Sequence, residues 1–228
     1  MYAQGDMAAI SVSFGVATRA LIFSLPPAIL FAYALSRPRL RGRFVLDGLV
    51  HLPLVLPPVL TGFLLLVLFG RQGPIGHWLY RLAGIQLAFT EQGAALATGV
   101  MIFPVLVRNI RLAFEATDGK LFGAAAVLRA SPMDRFFTIA LPLAGPGILA
   151  GAVTAFAAAM GEFGAVITFA ANIPGQTQTL PLAIYAALQS PGGEPQAWRL
   201  AGLSFLVALC GLAGAALLNR WARARLKG

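Results

Sequence analysis

Long stretches without a charged side chain divide this chain, and no other feature restricts its fold as much. Ala20 to Ser36, Leu49 to Phe69, Gly93 to Val107, Ile139 to Gly161 and Leu200 to Asn219 contain no Asp, Glu, Lys or Arg. A helix crossing a bilayer needs roughly 17–25 mostly apolar residues at about 1.5 Å each. Each stretch has that length or reaches it by extension, and the first extends back towards Ala8 if Arg19 snorkels outward. With 58% hydrophobic and 11% charged residues in 228, there is far more apolar side chain than a water-soluble domain of this size could hide. The expectation is an all-α, polytopic membrane bundle of about five transmembrane helices. It forms one domain over 1–228, with a core at about 8–218.

Phe163 to Gly193 is also uncharged, but the polar run Asn172 to Thr179 splits it into apolar halves too short to cross alone. It reads as a continuation of the fourth helix, a turn, and a short helix lying at or dipping into the outer face. Basic residues set the orientation, because cytoplasmic loops accumulate Lys and Arg. Arg37, Arg39, Arg41 and Arg43 follow the first stretch. Arg108, Arg111, Lys120, Arg129 and Arg135 follow the third, and Arg220, Arg223, Arg225 and Lys227 follow the fifth. That places the N-terminus outside and the C-terminus inside. The net charge of +9 is therefore topological, and nucleic acid is not an expected partner. No basic region precedes the first apolar run, so that helix is expected to be retained and not cleaved as a signal peptide.

Several chemistries drop out. Cys210 is the single cysteine, and no His/Cys spacing fits a metal site. No GxxxxGK[ST] cradle exists, since Gly119-Lys120 is followed by Leu121, so any ATP hydrolysis belongs to another chain. His51 and Glu162 are the only ionisable candidates deep in apolar sequence, and no internal repeat supports a secondary carrier. His51 and His77 fall on opposite sides, which leaves a hydrolase without a nucleophile–base pair.

The loop at 115–138 is more than a connector. Lys120 to Arg129 consists mostly of good helix formers. Ser131, Pro132 and Asp134 then occupy the N-cap, first and third positions of a new helix, a capping-box arrangement. This helical hairpin carries Leu121, Phe122, Val127, Leu128 and Met133, which need cover. A partner groove would serve, and so would the membrane interface or the chain's own helices; composition alone leaves both readings open.

Ala124-Ala125, Leu128 to Pro132 and Phe136 to Pro142 resemble the EAA loop of bacterial ABC-importer permeases, whose pattern is close to E-A-A-x-x-x-G followed, nine residues on, by an apolar residue and L-P. Gly123 stands where that pattern has Glu, and Arg129 where it has Gly. His51 to Val59 with Gly62, Gly161 to Ala165, Asn172 to Gly175, Gln178 to Pro181 and Ser190 to Glu194 are similar to the molybdate permeases of the type I importer family. Sulfate and tungstate permeases share parts of these motifs, and a secondary oxyanion carrier is the alternative of another class.

The resemblance implies a homodimer in the bacterial cytoplasmic (inner) membrane. Two ABC ATPase subunits beneath it would carry ATP and Mg, and a periplasmic or extracellular molybdate-binding protein would deliver the anion. This chain would bind no cofactor and no metal and would have no catalytic residue. Gly123, Ala124, Ala125, Leu128, Arg129, Ala130, Ser131, Pro132 and Met133 would couple to the ATPase. Pro57, Pro58, Gly161, Glu162, Phe163 and Gly164 are the pathway or gate candidates. Glu162 could line a gate or act as a structural cap, and Pro53, Pro57 and Pro58 could form a hinge or a packing kink. Arg199 could attract an oxyanion or mark a helix boundary. The terminal basic residues suit anionic lipid.

Overall fold

The computed structural model describes residues 2–37 and 40–225, with side chains for 5–37, 40–211 and 214. Every element among them is helical: α1 Tyr2–Ser36, α2 Arg43–Val55, α3 Pro58–Phe69, α4 Pro74–Ala83, α5 Glu91–Glu115, α6 Gly119–Val127, α7 Pro132–Arg135, a π-helical turn Phe136–Ala140, α8 Leu141–Met160, α9 Gly164–Ala170, α10 Leu180–Gln189 and α11 Glu194–Arg225. By length and hydropathy three segments suit a membrane span: Gly5–Ser36, Glu91–Glu115 and Pro132–Met160. The bent pair α2 and α3 makes a fourth if it counts as one crossing. Helix α11 covers the fifth expected stretch. Arg39 lies outside the described residues, as do Lys227 and the side chains of Arg220, Arg223 and Arg225.

Helix α5 is the central post, packed along α1 and α8. Small residues make the close approach possible: Ala17, Ala20, Ala28 and Ala32 of α1 and Ala144, Ala155 and Ala159 of α8 are buried around Ile102, Leu106, Val107 and Ile110 of α5. In lipid there is little hydrophobic drive to bring helices together, so dispersion between closely apposed backbones holds such an interface.

Two expectations are corrected. The Leu49–Phe69 stretch is not one kinked helix, because α2 and α3 meet at 111°. A residue before proline is pushed out of the helical region. Leu56 precedes Pro57 and Pro57 precedes Pro58, and both adopt extended ψ, 144° and 133°. Pro58 then starts α3 at a position where a missing N–H costs nothing. Phe163–Ala171 is likewise not a continuation of the fourth helix. Helix α8 stops at Met160, and α9 is a separate, buried helix packed on α3 and α5.

The first helix also begins earlier than the apolar run. Arg19, still partly exposed, pairs with Glu91 at the start of α5, and Asp6 takes a 2.7 Å hydrogen bond from Arg199 Nε. Neutralised in this way, both charges are accommodated within α1.

Candidate functional site

The hairpin at 115–138 has the caps that its sequence requires. Asp118 begins α6, its carboxylate accepting the Lys120 N–H at 2.9 Å. At the far end, Arg129 N–H reaches Ala126 O and Ala130 N–H reaches Ala125 O, both at 3.0 Å. This paired closure is a Schellman motif, which requires a left-handed residue at the position after the cap. Arg129 fills it with φ 59°. The site where the EAA pattern has glycine thus keeps glycine's backbone conformation and carries a side chain that strains it. Two residues later Ser131 Oγ accepts the Asp134 N–H and Asp134 Oδ2 accepts the Ser131 N–H, each at 3.1 Å, closing the capping box over Pro132.

These caps fix the turn between α6 and α7 and hold its apolar side chains in the open. Val127, Leu128 and Met133 are 84%, 83% and 66% exposed. No residue of α6 or α7 is buried, and Phe122 alone of their large apolar residues leans on the main core. Of the covers left open by the sequence, packing on the chain's own helices is used by Phe122 but not by Val127, Leu128 or Met133. A Cβ on Gly123 would meet nothing within 4 Å. The missing Glu of the family pattern therefore leaves a gap on the outer surface of the hairpin and no gap inside this chain.

An ionic network braces the hairpin's base. Arg43 of α2 lies 3.2 Å from Glu115, while Arg111 lies 2.8 Å from Glu115 and 3.0 Å from Asp47. Half-exposed pairs contribute about 0–1 kcal/mol each, so their main effect is to fix the direction of α2 against α5. Sequence reading missed them, although the closeness of Asp47 and Glu115, two of only eight acids, to Arg43 and Arg111 in the chain was an available signal. His51 belongs to this group too, its Nδ1 lying 2.9 Å from Asp47 O.

The pathway candidates converge. Pro57 and Pro58 form the α2–α3 break, and 161–163 form the α8–α9 break. The two breaks touch: a Cβ on Gly164 would lie 2.6 Å from Pro58 Cβ, and one on Gly62 would lie 2.6 Å from Ala165 O. Only glycine allows α9 this close to α3 at both points. Glu162 Oε1 accepts the Ala165 N–H at 2.9 Å, capping α9, and the Phe163 ring packs 5.2 Å from that of Tyr185 on α10. Arg199 is taken up by the buried Asp6, which favours its structural role. A separate apolar cleft of about 1000 Å³ opens between α1, α2 and α5; its walls include Pro53 and Phe103 but neither break. Among the described residues no three His, Cys, Asp or Glu side chains group as metal ligands.

This arrangement of broken helices over a protruding hairpin has close relatives. The chain is 47% identical to the molybdenum transport system permease protein ModB of Haemophilus influenzae over 97% of its own length and 95% of the relative's. It is 51% identical to the ModB of Escherichia coli strain K12, covering 93% and 91%. A crystal structure of a bacterial alginate ABC transporter in complex with an alginate pentasaccharide-bound periplasmic protein contains a chain of the same fold. Its TM-score is 0.70 at 17% identity, over 96% of this chain and 78% of that one. Residues 24–225 match the family described as binding-protein-dependent transport system inner membrane component. The chain is a multi-pass membrane transport subunit and belongs to that family.

Proposed function

We propose that this chain is the permease subunit of an ATP-driven importer and forms the membrane pathway for molybdate. It works as a homodimer, oriented with the N-terminus outside and the hairpin 115–138 and the C-terminus in the cytoplasm. ABC ATPase subunits bind ATP and Mg and seat the hairpin in a groove, and a molybdate-binding protein docks outside. The observation that carries this reading is the doubly capped hairpin presenting Leu128 and Met133 to the surroundings. An apolar surface held this rigidly suits helix-in-groove docking, with the ordering cost already met by the caps. The cargo follows from the two ModB relatives, each matched over more than nine-tenths of its length.

The chain's part in the cycle is mechanical. ATP biases the ATPase pair between open and closed arrangements, and a two-state permease follows if the hairpin makes different contacts in each. The paired breaks at 56–58 and 161–163 are where helices change direction without losing internal hydrogen bonds along their length. They are the places where a rigid-body shift would open or shut a pathway.

The test is uptake of molybdate by proteoliposomes holding the chain, its ATPase and the binding protein. Uptake should require all three components and ATP, and excess sulfate should compete poorly. Leu128→Asp with Met133→Asp should release the ATPase while helical content by circular dichroism is unchanged. Uptake by the permease alone under an ion gradient would overturn the reading in favour of a secondary carrier.

A further inference from the structure

Between Phe114 and Phe136 no residue is buried, so the hairpin is a lever that, apart from Phe122 leaning on the core, meets the packed bundle at its two ends. Those ends touch. The Phe114 ring, where α5 runs out into the hairpin, lies 6.4 Å from the ring of Phe136, where the chain returns. Both also pack on Tyr33 of α1, at 5.3 Å and 4.6 Å between ring centroids. Arg37, just past the end of α1, sits 4.4 Å over the Tyr33 ring and donates to its hydroxyl, which holds the tyrosine in place. Tilted and edge-to-face rings at these distances are in the favourable range for aromatic pairs.

Phe136 also opens the π-helical turn, whose wide ring is closed by the Leu141 N–H on Phe136 O. The sequence explains the widening. Pro142 has no N–H to offer Thr138 O, and its ring crowds that carbonyl in a regular α-helix. A π turn relieves the crowding and re-aims the side chains before it. Phe136 thereby points into the joint with Tyr33 and Phe114, while its neighbour Phe137 stays more than half exposed.

We propose that Phe136, set by this π turn, is the positioning residue that passes displacement of the hairpin into α1 as well as into α5 and α8. The covalent chain carries a push on α6 and α7 into α5 at one end and into α8 at the other. Phe136 ties the returning end to Tyr33, so that the push also reaches α1, to which the hairpin has no direct chain connection. The inference rests on the permease reading above, in which the hairpin is the part that a motor subunit moves.

The experiment uses the full complex with ATPase and binding protein in proteoliposomes, with Phe136→Ala and the ring-preserving Phe136→Tyr. The expected result for Phe136→Ala is that the ATPase still co-purifies and hydrolyses ATP at near the wild-type rate, while molybdate delivered per ATP falls about tenfold or more. Phe136→Tyr should restore most of it. A cargo-independent readout accompanies these: ATP-dependent change in hydrogen exchange at 30–36 of α1, present in wild type and Phe136→Tyr and lost in Phe136→Ala. An unchanged ratio of cargo to ATP in Phe136→Ala, or an unchanged α1 response, overturns the proposal. If wild type carries no molybdate yet its α1 responds to ATP through Phe136, the cargo assignment fails and the joint stands.

Discussion

Arg129 is the residue where replacement by the family's usual glycine has a calculable effect. Its φ of 59° lies in the left-handed region, which costs a residue with a Cβ about 1–2 kcal/mol relative to the right-handed one. Arg129→Gly removes that cost, but glycine's greater freedom in the opened chain takes back about 0.4–1 kcal/mol. The net gain is about 0.5–1 kcal/mol, a two- to fivefold shift in the local opening equilibrium. Hydrogen exchange of the two amides that close the turn, at positions 129 and 130, reads this directly. Both bonds are 3.0 Å and neither has another partner in the hairpin. Expressed as protection factors, which remove the intrinsic difference between arginine and glycine amides, exchange should slow about two- to fivefold in Arg129→Gly. A β-branched side chain tolerates this region worse than arginine, so Arg129→Val should speed exchange. Unchanged or faster exchange in the glycine variant would show that Arg129 is held by something other than this turn.

Ser131→Ala removes the acceptor for Asp134 N–H and should cost about 1 kcal/mol. It should be seen as lost protection at Asp134 and weaker ATPase association, with the membrane helices intact; retained protection would rule out the capping box as the fastening. Gly164→Ala places a Cβ 2.6 Å from Pro58 Cβ and should destabilise the α3–α9 contact by about 1–3 kcal/mol, lowering the melting temperature in detergent. Gly123→Ala, with open space around it, should instead strengthen α6 by about 1 kcal/mol, so equal effects from the two would refute the packing explanation. Glu162→Gln keeps an oxygen for the Ala165 N–H and removes the charge, whereas Glu162→Ala loses both. If the carboxylate serves as a cap, Gln should transport like wild type and Ala should be defective. A defect shared equally by Gln would mean that the charge itself matters in the pathway.

What could be read from the sequence depends on how far apart the interacting residues lie. The capping box was legible because Ser131 and Asp134 are neighbours whose side chains can only reach each other's backbone in one way. The anomaly at Arg129 was legible only through the resemblance, because arginine stands where the EAA pattern has a backbone-permissive glycine. The breaks were half legible. Pro57 and Pro58 announce one interruption, whereas the stretch after Gly161 reads as a continuation, and the sequence gives no sign that Gly62 and Gly164 are the notches that admit α9 against α3.

The start of α1 was misjudged for a physical reason that applies to membrane chains generally. Counting apolar residues treats each charge as the end of a span, since an isolated charge in lipid costs several kcal/mol. A charge met by its opposite on another helix imposes no such limit. Asp6 meets Arg199 across 193 positions and Arg19 meets Glu91, so the helix runs through both. The same logic orders the hairpin. Its caps are satisfied locally, its apolar groups are not, and the aromatic contact between its ends joins α1, α5 and the turn into α8. Docking needs only the local part, which short-range chemistry specifies. Transmission needs the joint, which exists only once α1, α5 and α8 have packed. Variants in the hairpin should therefore alter attachment of the motor, and variants at Tyr33, Phe114 or Phe136 should alter the work done per stroke.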